Sequence, residues 1–167
     1  MCHSHIISES FYTDLYEELH RYSIVAIKKD AKDRYEQKGI REHLLCQDCE
    51  QLLGNDYEAY GAEAFRNLKS ATKQHVSTFV FDSLDYRQFK LFQLAQLWRI
   101  AIAKGPFWQG VVLPKTKLET LRKMLISGNP STSDFYGVKM EAITNDHGDL
   151  FDAFLPPHTI GHQKGSG

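Results

Sequence analysis

The sequence predicts an α+β fold, with a small zinc-knuckle module followed by a mixed α/β unit built round a long buried helix. Three observations carry this expectation. Cys46 and Cys49 stand two residues apart, between the apolar lead-in Leu44-Leu45 and a helix-like run. At that spacing a tight turn points both sulfurs at one ion. Residues 86–104 form the most apolar helical pattern in the chain. Their polar positions, Arg87, Lys90, Gln93, Gln96 and Arg99, recur every third residue, a stripe narrow enough to imply burial of most of the helix. Short β-rich runs, such as Val76 to Phe81, lie among the helical patterns.

Composition is that of an ordinary globular chain. The 167 residues are 42% apolar and 25% charged, enough for one domain with a proper core or for a zinc module plus a second packed unit. A division near residues 70–74 gives units 1–72 and 73–167. The formal net charge of −1 argues against a strongly basic nucleic-acid binder but leaves a local basic groove open. No run approaches the ~18 consecutive apolar residues of a membrane span. The start of the chain has no basic-then-apolar signal pattern, so a cytoplasmic location without a membrane partner is expected. Three cysteines, two of them in Cys-x-x-Cys, then read as metal or redox chemistry rather than a disulfide framework.

In order along the chain, His5-Ile6-Ile7 is of strand type. Ser8 or Ser10 caps a helix running to about Tyr22, with Phe11, Leu15 and Leu19 on its apolar face. Ser23 to Ile27 is a strand, and Lys28 to Gly39 is charged and irregular. Arg41 to Leu45 leads into the knuckle, after which Asn55 or Asp56 caps a helix reaching Lys69. Val76 to Phe81 alternates as a strand. Asp85 caps the long helix, which Gly105-Pro106 ends. A further amphipathic helix spans Lys115 to Ser127 and stops at Gly128-Asn129-Pro130. Tyr136 to Thr144 and Leu150 to Leu155 are strands joined by a turn, and a polar, Gly-rich tail follows.

Three constellations carry candidate chemistry. A tetrahedral zinc held by Cys46 and Cys49 needs two more donors, and the chain offers Cys2, His3 and His5 at its start. Such a zinc would be structural. The same two cysteines also read as a redox pair without metal. His3-Ser4-His5 is the second constellation: a histidine at a strand start can serve as general base on water. Chemistry alone favours one of these histidines as a zinc ligand and the other as surface. The third is the late group Asp146, His147, Asp149, Asp152, His158 and His162, a second metal site or, more simply, turn formers and a solvated tail. Arg87, Lys90 and Arg99 would contact phosphates, or form a solvated helix face.

His3-Ser4-His5-Ile6-Ile7-Ser8-Glu9, followed by Leu44-Leu45-Cys46-Gln47-Asp48-Cys49-Glu50 and a Tyr-rich helix, resembles the HNH (His-Me finger) endonuclease-like zinc proteins of bacteria and phages. The stretch Tyr86 to Arg99 is similar to the second half of an uncharacterised bacterial family with that layout. The resemblance implies a treble-clef, ββα-metal-like module. In it His5 is the general base, and Cys46 and Cys49 are structural Zn2+ ligands, completed by Cys2 plus His3 or by an outside ligand. A catalytic Mg2+ or Mn2+ would be held from Glu50, Asn55 or Asp56. Ser4, Ser8 and Glu50 stand where that family commonly has an acidic residue, a proline and an asparagine. Beside the family's layout the chain reads as shortened at both ends, since an upstream Cys-x-x-Cys pair is reduced to Cys2. The expected function is a metal-dependent nuclease acting on DNA. The alternatives are a non-catalytic zinc-binding module that binds nucleic acid or a protein partner, and an interaction protein that docks through the helix at 86–104.

Overall fold

The computed structural model describes residues 1–24, 32–67, 72–75, 78–80 and 84–138. Over these residues the chain is α+β, with two small antiparallel ribbons at its start, a third between its helical stretches, and two longer helices after it. β1 (His3–His5) pairs with β4 (Arg41–His43) in the register His3↔His43, Ser4↔Glu42, His5↔Arg41. β2 (Tyr22–Ile24) pairs with β3 (Arg34–Glu36), and β5 (Thr72–His75) with β6 (Thr78–Val80). The first ribbon continues past its ends, because the Cys2 amide donates to the Leu45 carbonyl at 2.6 Å and the Leu44 amide to the Cys2 carbonyl at 3.2 Å. The N-terminus therefore folds back along the segment that leads to Cys46.

The helix expected from Ser8 to Tyr22 is replaced by two one-turn 3-10 segments, Glu9–Phe11 and Thr13–Leu15, before the chain extends at Tyr16. Adjacent aromatic rings are drawn to different places. Phe11 packs on Phe65 and Phe92, with centroids 4.6 and 5.8 Å away, while Tyr12 packs on Tyr22 at 5.2 Å. One helical face cannot serve both targets. The segment read as charged and irregular contributes β3.

Cys46 is the N-cap of a continuous helical stretch: α1 (Gln47–Leu52), a π-helical turn (Leu53–Glu58) and α2 (Ala59–Arg66). Asn55 and Asp56, expected to start a helix, lie inside the π turn. In a plain α-helix, residues eight apart sit about 80° apart round the axis. The wider turn reduces that offset between Glu50 and Glu58. α3 (Tyr86–Ile102) begins at Asp85, whose carboxylate accepts from the Arg87 and Gln88 amides at 2.9 and 3.2 Å. α4 (Lys115–Ser127) ends at Gly128, which takes the left-handed conformation at φ 61.

One apolar cluster joins Leu45, Leu53 and Tyr57 to Phe89, Phe92, Leu94, Leu121 and Leu125, so the core crosses the division expected near residues 70–74. A second cluster gathers Ile6, Ile7, Tyr12, Tyr22 and Trp108 under the first ribbon. Gly61 lets α2 lie against α3: a Cβ there would meet Phe92 ring carbons at 2.5 Å. Phe92 is fully buried and has nowhere to go. Gly61→Ala is therefore expected to destabilise the fold by about 1–3 kcal/mol in urea titration, despite the better helix propensity of alanine.

The polar stripe of α3 does not face solvent. Lys90 and Arg99 are fully buried and Gln96 nearly so, because α2, α4 and the end of β1 surround the helix. Lys90 Nζ donates to the carbonyls of Thr132 and Phe135 at 2.6 and 2.7 Å, which pins the segment after α4. This corrects the expectation that Lys90 and Arg99 present charge to phosphates. Arg87 alone of the three is exposed, and it donates to the Gly128 carbonyl at 2.6 Å. Residues 133–136 form a turn where a strand was expected to begin. The remainder of that strand, the last strand and the group Asp146 to His162 lie outside the described residues. No helix of the described residues is long and apolar enough to cross a membrane.

Candidate active site on the first ribbon

The ribbon, with the helix that follows it, sets His5 at the meeting point of three elements. His5 closes β1 opposite Arg41 on β4. Arg41 Nε donates to His5 Nε2 at 2.7 Å, and Arg41 Nη2 donates to Glu9 Oε2 at 3.0 Å. Glu9 Oε2 also lies against His5 Nε2, one helical-type turn further along the chain. Tyr16 fixes the other Glu9 oxygen, its hydroxyl donating to Oε1 at 3.2 Å. Neighbouring Ile6 and Ile7 are buried in the second cluster and hold the end of the strand in place.

An imidazole that accepts a hydrogen bond at Nε2 carries its proton on Nδ1 when neutral. The surroundings favour that state. Burial pushes the His5 pKa below its ordinary 6.5, helped by the charges of Arg41 and Arg99 and opposed by those of Glu9 and Glu50. The side chain keeps 17% of its surface open.

Behind His5 lies a buried ionic group. Arg99 comes from α3 and pairs with Glu58, while its Nη2 stands 3.5 Å from Glu50 Oε1. Its Nη1 also donates to the His5 carbonyl at 3.2 Å. The Ser8 amide donates to Gln96 Oε1 at 3.1 Å. Arg99 and Gln96 thus fasten the end of β1 and the segment after it to the long helix. Burial outweighs the favourable charge of Arg99 at Glu58 and raises its carboxyl pKa above the usual 4.5. Three buried polar atoms of this group, Glu50 Oε2, Gln96 Nε2 and Arg99 Nε, have neither a hydrogen bond nor an ion pair among the described residues.

The other expected site residues fall elsewhere. His3 is exposed and faces His43 across the ribbon, with ring centroids 4.5 Å apart. Asn55 and Asp56 are exposed on the π turn. Cys46 is exposed and Cys49 half-buried, and the Cys49 amide donates to Cys46 Sγ at 3.4 Å. That amide, together with the Cys49 thiol, lowers the Cys46 pKa. The Cys49 pKa is raised, first by its hydrogen bond to Cys46 and then by burial. Two sulfurs are half of a tetrahedral zinc shell. Among the described residues no three His, Cys, Asp or Glu side chains gather to hold a metal, so Cys2 and His3 do not complete a set with this pair. A structural zinc with four protein donors does not fit the described residues.

Sequence reading gave no role to Glu9, Arg41 or Glu58. Glu9 stands four residues after His5, but no regular helix signals that they meet. Arg41 and Glu58 reach the site only through strand pairing and the π turn. Comparison with family models, with curated proteins and with solved structures finds no match to this chain.

Proposed function

We propose that the chain hydrolyses phosphodiester bonds in DNA, as an HNH-like nuclease with His5 as general base. The observation that carries this reading is a partly open imidazole whose Nε2 accepts from a guanidinium, on a two-strand ribbon that runs into a helix. A neutral histidine takes the proton from an attacking water. In the resting site Arg41 occupies the His5 Nε2 lone pair. A DNA phosphodiester, a monoanion with two free oxygens like a carboxylate, draws that guanidinium away, since Arg binds phosphate through two parallel N–H bonds. Substrate binding therefore uncovers the base. Glu9, whose Oε2 lies against the same nitrogen, pairs with the imidazolium once the proton is taken up.

A divalent cation, Mg2+ or Mn2+, supplies charge stabilisation at the scissile phosphate when bound. Magnesium takes one or two carboxylates and leaves its remaining positions to water and phosphate, so it does not need a gathered protein cage. Glu50 fits as the carboxylate, because its Oε2 is buried without a partner among the described residues and its charge reaches His5. Asn55 and Asp56, though exposed, offer no comparable link to His5.

Conversion of supercoiled plasmid to open circles, with and without Mg2+ or Mn2+, tests the reading. Nicking that requires the ion is expected, and its absence at all ion concentrations overturns the proposal. Arg41→Ala is expected to raise KM for DNA. It should also raise the His5 pKa toward 6.5, followed by NMR titration of the ring, because it removes a charge that lowers that value.

A further inference from the structure

We propose that Cys46 and Cys49 form a reversible dithiol–disulfide couple, with Cys46 as the attacking thiol, Cys49 as the resolving thiol, and a low-molecular-weight disulfide of the glutathione class as oxidant. The inference does not depend on the nuclease reading. It rests on three features. Cys46 is exposed at the N-cap of the helical stretch 47–66, while Cys49, one turn later, is half-buried against the main apolar cluster. An incoming disulfide therefore reaches Cys46 first. The two are already engaged, the Cys49 amide donating to Cys46 Sγ at 3.4 Å. Residues three apart at the start of a helix have Cα atoms about 5 Å apart, inside the roughly 4.4–6.8 Å that a disulfide bridges. Finally, no third metal-type donor stands with the pair among the described residues.

The exchange balances without further reactants. The Cys46 thiolate attacks one sulfur of R–S–S–R, an S–S bond forms to Cys46, and R–S⁻ leaves and takes a proton. Cys49 then gives up its proton and attacks Cys46 Sγ, expelling the second R–S⁻. Two protein thiols are oxidised and one external disulfide is reduced to two thiols. The new bond bridges the turn that also carries Glu50, so the couple sits next to the buried ionic group.

The test uses the full chain, reduced and treated with a chelator, then equilibrated in buffers of graded reduced-to-oxidised glutathione ratio, quenched with an alkylating reagent and digested with trypsin. Cleavage after Arg41 and Arg66 places Cys46 and Cys49 together in residues 42–66, while Cys2 falls in residues 1–21. The expected result is that the 42–66 peptide loses both alkyl groups together as the buffer becomes oxidising and regains them on reduction, while the Cys2 peptide remains alkylated. Cys49→Ser should trap glutathione on Cys46, and Cys46→Ser should form adducts at Cys49 at least about tenfold more slowly, because the exposed thiol is the reactive one. The proposal is overturned if the peptide stays doubly alkylated throughout, or if the wild-type chain stops at a glutathione adduct. It is also overturned if the chain as purified holds one zinc that shields both cysteines from alkylation.

Discussion

Arg99→Ala lowers the stability of the fold by about 3–5 kcal/mol, the cost of leaving a buried ion without its partner. Arg99 is fully buried, and Glu58 and Glu50 converge on it from the helix after the knuckle. Its removal strands two carboxylates and also frees the His5 carbonyl. For a chain of this size the loss corresponds to a drop in Tm on the order of 10 °C. The defect depends on pH in a fixed direction. Burial raises the Glu58 pKa above its usual 4.5, so its contribution to stability is fully present below that value and is lost as pH rises through the folded one. Without Arg99 that folded value climbs further. The difference between wild type and Arg99→Ala is therefore largest near neutrality and shrinks in acid. A combined replacement, Arg99→Met with Glu50→Gln and Glu58→Leu, restores most of the loss, because the charges are then removed together. Urea denaturation at pH 7 and pH 4.5 measures all of these. A single variant as stable as wild type at both values would mean that the ionic group holds nothing in place.

His5→Ala is expected to reduce the proposed DNA cleavage by roughly 10²–10⁴-fold, the usual contribution of a general base. The side chain is half-open and its partners Arg41 and Glu9 can pair with one another, so the fold is expected to survive. The pH dependence follows from the lowered pKa. A depressed histidine is neutral above its folded value, so its contribution to stability is present above 6.5 and is lost as pH falls below 6.5 through the folded value. The base form, and with it the cleavage rate, falls over a range below 6.5.

The elements that the sequence marks best are those specified locally. The long helix and the Lys115–Ser127 helix follow from their own periodicity, capping Asp85 and terminal Gly128. Cys2 and the histidines at the start of the chain raise the question of a return toward Cys46, and strand pairing supplies that return. Long-range arrangements were hidden. The β2–β3 ribbon is built partly from Arg34, Tyr35 and Glu36, which carry no apolar alternation. Asn55 or Asp56 reads as a helix cap, yet the helical stretch runs through both as a π turn. Lys90 and Arg99 look like solvent residues, and only tertiary partners explain their burial: two carbonyls for the first, two carboxylates and a carbonyl for the second. Arg41 and Glu58 belong to the candidate site for the same reason, through contacts dozens of residues apart that no local pattern records.

The claim that His5 is the base is tested most directly by the pH–rate profile of plasmid nicking at saturating Mg2+, with wild type and His5→Ala measured side by side. The account predicts that the wild-type rate rises with pH through a single midpoint below 6.5 and then levels, and that His5→Ala shows neither the midpoint nor the rate. Equal rates for the two proteins, or a wild-type profile without that midpoint, would contradict it.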